Sequence, residues 1–157
     1  GAVVVQPSEA PGILSSHLHS DGSLSHILRV GGGIAEGKIR GNPYLEMDGQ
    51  AVFKLAVRVL GECAHEALAH NGMTGADIDW LVPHQANLRI IAGTAQKMQL
   101  PMDKVVLTVA DHGNTSAASI PLALSVGVER GQIKRGDLLV TEAIGGGLAW
   151  GAVVLRW

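Results

Sequence analysis

Cysteine is almost missing from this chain: Cys63 stands alone among 157 residues. A single thiol builds neither an internal disulfide nor a cysteine-based zinc cluster, so the sequence predicts a cytoplasmic protein in a reducing compartment. An excess of one charge is missing too, with 12 basic against 14 acidic residues and a net charge of −2. That balance offers no electrostatic footprint for nucleic acid or an anionic membrane. No apolar run reaches the roughly 18 residues of a membrane span. No charged segment followed by an apolar one opens the chain as a signal peptide does. Disorder is excluded, because hydrophobic residues make up 46% and charged residues 17%. Aromatics amount to only 3%, whereas glycine contributes 21 residues, nearly twice the usual share of about 7%. Excess glycine in a hydrophobic chain points to tight turns and close backbone approaches, as in a glycine-lined site.

The length is that of one domain able to bury roughly two thirds of its unfolded surface. Gly1-Ala2-Val3-Val4-Val5 is apolar and β-branched and reads as a strand. With no Met before it, the sequence is expected to be the later part of a longer chain. Residues 13–18 predict a second extended segment, closed by Asp21-Gly22, and residues 31–43 a surface loop. From Gln50 to His70 the period is helical: Phe53, Val57, Leu60, Ala64, Ala67 and Leu68 share a face, and Asn71-Gly72 is a stop signal. Asp79 to Val82 predict a short buried strand ended by Pro83. A helix through Leu88, Ile91, Ala95 and Met98 follows, with Asn87 as its N-cap. Residues 105–109 predict a strand, and Ala117 to Val128 a third helix stopped by Gly131, with Pro121 early enough to be tolerated. Residues 138–141 and 148–155 predict the last strands, around Gly145-Gly146-Gly147. Strands alternating with helices argue for an α/β sheet covered on both faces. Residues 151–155 echo residues 1–5, which fits a duplicated fold.

Gly32-x4-Gly37-Lys38 approaches a phosphate-binding loop, but Ile39 stands where a Ser or Thr holds magnesium, and Gly41-Asn42-Pro43 breaks the required helix. It reads as a solvated loop. Neither G-x-S-x-G nor G-x-G-x-x-G occurs, which leaves a hydrolase elbow and a dinucleotide site unsupported. His17 and His19 share a strand face near Asp21; the choice is between metal ligands and ordinary polar residues, and no metal is expected. Three strand ends carry polar or glycine chemistry, where sites form in α/β folds. His84 lies just after the strand ending at Pro83, and is either catalytic or a satisfied structural histidine. Asn114 sits in His112-Gly113-Asn114-Thr115-Ser116, as an N-cap or a functional amide. The triple glycine is either a tight turn or a source of bare N–H groups for an oxyanion. Cys63, mid-helix between Leu60 and Ala64, reads as a buried, inert thiol.

Taken together, Pro83-His84-Gln85-Ala86-Asn87-Leu88-Arg89, His112-Gly113-Asn114-Thr115-Ser116-Ala117-Ala118-Ser119 and Glu142-Ala143-Ile144-Gly145-Gly146-Gly147 resemble β-ketoacyl-acyl-carrier-protein synthase III, a condensing enzyme of the thiolase superfamily. The resemblance runs along essentially the whole chain. It implies an α/β, thiolase-like fold: residues 1–157 as the C-terminal half of a five-layer αβαβα sandwich, with residues 1–6 as the last strand of an otherwise absent N-terminal half. It implies that the nucleophilic cysteine lies in that half, so the chain alone should be inactive.

The implied reaction joins an acyl-coenzyme A starter, acetyl by expectation, to malonyl-acyl-carrier-protein with loss of carbon dioxide, starting fatty-acid synthesis. His84 and Asn114 would stabilise the enolate, and the N–H of Gly146 would complete an oxyanion hole. Gln85, Ala86, Asn87, Leu88 and Arg89, with Lys54 and Lys97, would meet the acyl carrier protein. Gln50, Phe53, Ala86 and Ile144 would line the coenzyme A and acyl tunnel. The implied partners are the N-terminal half, the carrier protein and acyl-coenzyme A, within a homodimer of the complete enzyme; no cofactor, nucleic acid or membrane is implied. Two other readings compete: a starter synthase of a polyketide or quinolone pathway, and a non-catalytic fragment that binds the carrier protein.

Overall fold

A computed structural model describes residues 1–157. In chain order the elements are β1 (Ile13–Ser20), β2 (Leu28–Val30), β3 (Gly33–Ala35), β4 (Lys38–Arg40), β5 (Leu45–Met47), α1 (Gly49–His70), β6 (Trp80–Pro83), α2 (Leu88–Lys97), α3 (Val109–His112), α4 (Ser119–Glu129), β7 (Leu138–Gly145) and β8 (Ala149–Arg156). The main sheet has the order β1-β8-β7-β6. β8 runs antiparallel to its two neighbours, β1 and β7, while β6 joins β7 in parallel.

Alternate side chains of the sheet serve two cores. Leu81, Leu138, Val140, Ala152 and Val154 pack with Ala64, Ala67, Leu68, Ile91 and Ala95 of α1 and α2. On the other face, Val82 and Leu139 meet Ala123 and Leu124 of α4. Burial on both faces explains why β6 and the first part of β7 read as unbroken apolar runs rather than alternating ones. Burying each large aliphatic side chain contributes about 1.5–3 kcal/mol.

The helices begin and end where their caps dictate. The Asp48 carboxylate accepts from the Gln50 and Ala51 N–H groups at 3.1 and 2.9 Å, starting α1. Asn71 terminates it as expected. The Asn87 side chain accepts from Arg89 N–H at 2.8 Å and starts α2. Pro121 is the third residue of α4, in the first turn where its missing N–H costs no helical bond. α1 and α2 pack closely because position 93 is glycine: a Cβ there would lie 2.9 Å from Cγ2 of Val57.

Three expectations fail. Residues 1–12 form no strand, and Val4 is 95% exposed. A strand needs a hydrogen-bonding neighbour, and no strand of this chain pairs with Val3 to Val5. Residues 31–43 are not a plain loop: β3 and β4 form a hairpin, and β2 pairs with β5 beneath it. Glu36 and Gly37, both at positive φ (53° and 71°), make the tight turn whose twist suits a two-residue hairpin. That turn also removes the phosphate-loop reading, since no helix follows Gly37. Residues 105–109 reduce to one bridge, Leu81 to Val105. The Gln85 side chain takes the place of the rest of the ladder, accepting from Thr108 and Val109 N–H groups and donating to the Val106 and Pro83 carbonyls at 2.9–3.0 Å.

Candidate active site

The parallel pairing of β6 with β7 brings two carboxyl-terminal strand ends side by side. His84 continues the ladder by one step, its N–H donating to the Glu142 carbonyl at 2.7 Å. Its imidazole turns toward the start of α4, where Nδ1 lies 2.6 Å from the Ser119 hydroxyl. Half-buried with no charged partner, His84 is held below the ordinary imidazole pKa by desolvation, so it is neutral at neutral pH.

Asn114 stands on the exposed connection from α3 to α4. Its Oδ1 accepts from Ser116 N–H at 3.0 Å, which fixes the amide and leaves the Nδ2–H₂ group pointing away from the turn. His84 and Asn114 border one cavity of about 860 Å³. Its floor is the part of the sheet that α4 does not cover: Thr141 and Ala143 of β7, Gly151 and Val153 of β8, and Leu18 and Ser20 of β1. The site is thus an open, mostly apolar cavity with two neutral hydrogen-bond donors at one end. Donors of this type, near an apolar wall, suit a developing oxyanion.

The other singled-out residues divide. Ile144 borders the cavity, while its side chain packs with the cluster of Ile27, Leu55, Val59 and Leu148. Gly146 is exposed in the β7–β8 turn and does not line the cavity. Gln50, Phe53 and Ala86 lie outside it as well. Phe53 instead lies under Arg89, whose guanidinium carbon is 5.1 Å from the ring centroid, a contact that joins α1 to α2. Asn87, Leu88, Arg89 and Lys54 are exposed, and neither Lys54 nor Arg89 is in an ion pair. Lys97 is engaged, its Nζ donating to the Arg58 carbonyl at 3.1 Å and to Glu62 at 3.2 Å. Gln85 is a correction: it is 0% exposed, with its amide spent inside the fold, so it cannot form part of a docking surface.

Three features escaped the sequence. Ser119 contacts His84 across 35 positions. Glu142 is buried with both carboxylate oxygens unpartnered, and desolvation pushes it up to about 8, so it is protonated at neutral pH. A lone acid amid the apolar β7 run was its only signal. Glu66 is the third: His17 Nδ1 and His19 Nε2 both reach its carboxylate, at 3.3 and 2.7 Å. Asp21 instead caps a 3-10 turn. Cys63 is buried, and its thiol is pushed up to about 11, mainly by burial and then by the Glu66 charge, which leaves it a poor nucleophile.

Residues 68–157 match the family model for the C-terminal part of 3-oxoacyl-[acyl-carrier-protein] synthase III. The chain belongs to this family. Along its whole length it is 62% identical to a β-ketoacyl-[acyl-carrier-protein] synthase III of Cereibacter sphaeroides, of which it covers 50%. The crystal structure of the synthase III from Pseudomonas aeruginosa superposes on 98% of the chain with a TM-score of 0.88 at 39% identity, the chain covering 47% of that protein. The priming β-ketosynthase of the R1128 polyketide pathway is also similar, with a TM-score of 0.83 at 35% identity over 96% of the chain and 46% of that protein. The chain therefore has the mixed α/β, thiolase-like architecture of the synthase III C-terminal half, and it spans about half the length of the relatives it matches.

Proposed function

We propose that residues 1–157 are the C-terminal half of a condensing enzyme that joins an acyl-coenzyme A starter, acetyl by preference, to malonyl-acyl-carrier-protein at the start of fatty-acid synthesis. The observation that carries this is the pairing of His84 and Asn114 on one cavity, each anchored through its other polar atom so that its donor is free. The acyl group first passes from coenzyme A, a substrate here, to a cysteine of the N-terminal half. No cofactor is called for. Malonyl thioester then loses carbon dioxide, and the electron pair of the broken C–C bond moves onto the thioester oxygen. His84 Nε2–H and Asn114 Nδ2–H donate to that oxygen. A neutral imidazole suits the step, because an imidazolium would surrender its proton to the enolate. The freed carbon attacks the acyl-cysteine; the tetrahedral oxygen is held by the cysteine N–H and that of Gly146, and collapse expels the thiolate.

Arg89, Lys54, Ala86, Asn87 and Leu88 form the carrier-protein face in this reading, with Lys97 at its margin. Two basic side chains free of ion pairs suit an acidic partner even on a chain of net negative charge. Gln50, Phe53, Ala86 and Ile144 form the coenzyme A and acyl tunnel once the N-terminal half is in place. The complete enzyme is read as a cytoplasmic homodimer, and the chain alone as inactive, since its one thiol is buried. The full-length enzyme should lose malonyl decarboxylation about 10²–10³-fold on His84→Ala or Asn114→Ala while its cysteine still accepts an acyl group. Undiminished release of carbon dioxide by both variants would sink the assignment. The likeness to the R1128 priming ketosynthase favours one second reading, a polyketide starter synthase, and rates with acetyl against longer acyl-coenzyme A donors separate the two.

A further inference from the structure

The Ser119 hydroxyl sits between two groups, 2.6 Å from His84 Nδ1 and 3.2 Å from the backbone N of Gln85. Gln85 N–H is a donor only, so Ser119 Oγ accepts from it. The 2.6 Å contact with the imidazole then has two forms. In one, Ser119 donates its hydroxyl proton to Nδ1, and every polar atom of the trio is used. In the other, Nδ1–H donates to Oγ, which then accepts twice and must place its own proton elsewhere. Ser119 is 1% exposed, and its hydroxyl makes no hydrogen bond besides these two. The second form strands a buried O–H, at a cost of about 1–3 kcal/mol.

We infer that Ser119 is a positioning residue: by donating to Nδ1, it holds His84 in the tautomer whose proton lies on Nε2, facing the cavity. The placement follows from the fold. Ser119 is the first residue of α4, the helix that packs on β6 and β7, so the helix delivers the hydroxyl to the strand end that carries the histidine. Gln85 locks the other side, its amide tying the His84 segment to residues 83, 106, 108 and 109. The catalytic consequence rests on the condensing-enzyme reading, where a donor at Nε2 is required. With the proton on Nδ1, Nε2 would present a lone pair to the enolate oxygen and repel it. The tautomer itself does not depend on that reading.

The test labels only the histidines of the full-length enzyme with ¹⁵N and records long-range proton–nitrogen correlations, with His84→Gln assigning the signal. The expected spectrum has a protonated Nε2 and a bare, hydrogen-bonded Nδ1. Ser119→Ala should mix the tautomers and raise the imidazole titration midpoint, since a donor to the neutral form is gone; Ser119→Thr, which keeps the hydroxyl, should restore both. In the same enzyme Ser119→Ala should slow malonyl decarboxylation about 10- to 100-fold, the scale known for losing the partner that orients a metal-bound histidine, with acyl loading of the cysteine unchanged. A proton on Nδ1 in the unaltered enzyme, or an identical spectrum in a folded Ser119→Ala variant, overturns the inference. If the spectra behave as expected but His84→Ala still decarboxylates malonyl thioester, the inference stands and the proposed function falls.

Discussion

Of the 36 buried residues, Ile27 alone comes from the first 48 positions; the rest lie between Leu55 and Val154. The early stretch does not lack apolar residues, which fill 18 of its 48 positions. It exposes Val3, Val4, Val5, Ile13, Leu18, Ile34 and Leu45, with Val4 at 95% and Leu18 at 80%. Strands form in both regions, but only the second has α-helices and encloses a core of its own. Secondary structure therefore follows local signals here, such as the Glu36-Gly37 turn and the Asp48 cap, whereas burial depends on having two layers to place side chains between. Leu18 and Leu139 lie on the same side of the sheet; α4 covers one and stops short of the other.

The sharpest way to break this comparison is to truncate one residue from each region. Leu68→Ala should cost about 2–5 kcal/mol in urea unfolding, and Leu18→Ala less than about 0.5 kcal/mol; equal losses would mean that the early stretch has a core after all. Glu142 comes next. Its folded pKa, about 8, lies above the ordinary value of a solvated glutamate, 4.5. Between those values the folded state keeps a proton that the unfolded chain has released. Stability should therefore fall as pH rises from 4.5 to 8, by at most about 1.4 kcal/mol per pH unit, and level off above. Glu142→Gln should flatten that slope in a urea series across pH. The smallest effect concerns caps. Asp48→Ala, at the head of a helix packed in the core, should cost about 1 kcal/mol. Asp21→Ala, which caps a 3-10 turn of the early stretch through Ser23, should shift the thermal midpoint less.

How far the sequence could be read follows the same division. α1, β6, α2 and α4 were legible because their signals are local: a period, a cap at Asn87, a stop at Asn71. The strand expected over residues 105–109 failed because a side chain, Gln85, does the work of a strand, and no period records that. His84 was legible as a strand-end residue and both His84 and Asn114 as members of a family pattern, although the strand expected before Asn114 does not form. The hydroxyl that orients His84 was not, because it arrives from 35 positions away with a residue type common at helix starts. Gln85 shows the reverse error: a position next to a site residue was read as surface, and the fold buries it.

β1 forms one margin of the main sheet, with β8 on its inner side and no strand on its outer side. Over eight residues it carries neither lysine nor proline, the usual guards of such a margin, and it exposes Ile13 and Leu18. A row of unpaired amides beside exposed aliphatic groups is a template on which further chains can pair. The behaviour of this polypeptide in a tube is thus as much colloidal as conformational: crowding the solution should drive edge-to-edge association, and a single lysine placed on β1 should be the cheapest way to keep it dispersed.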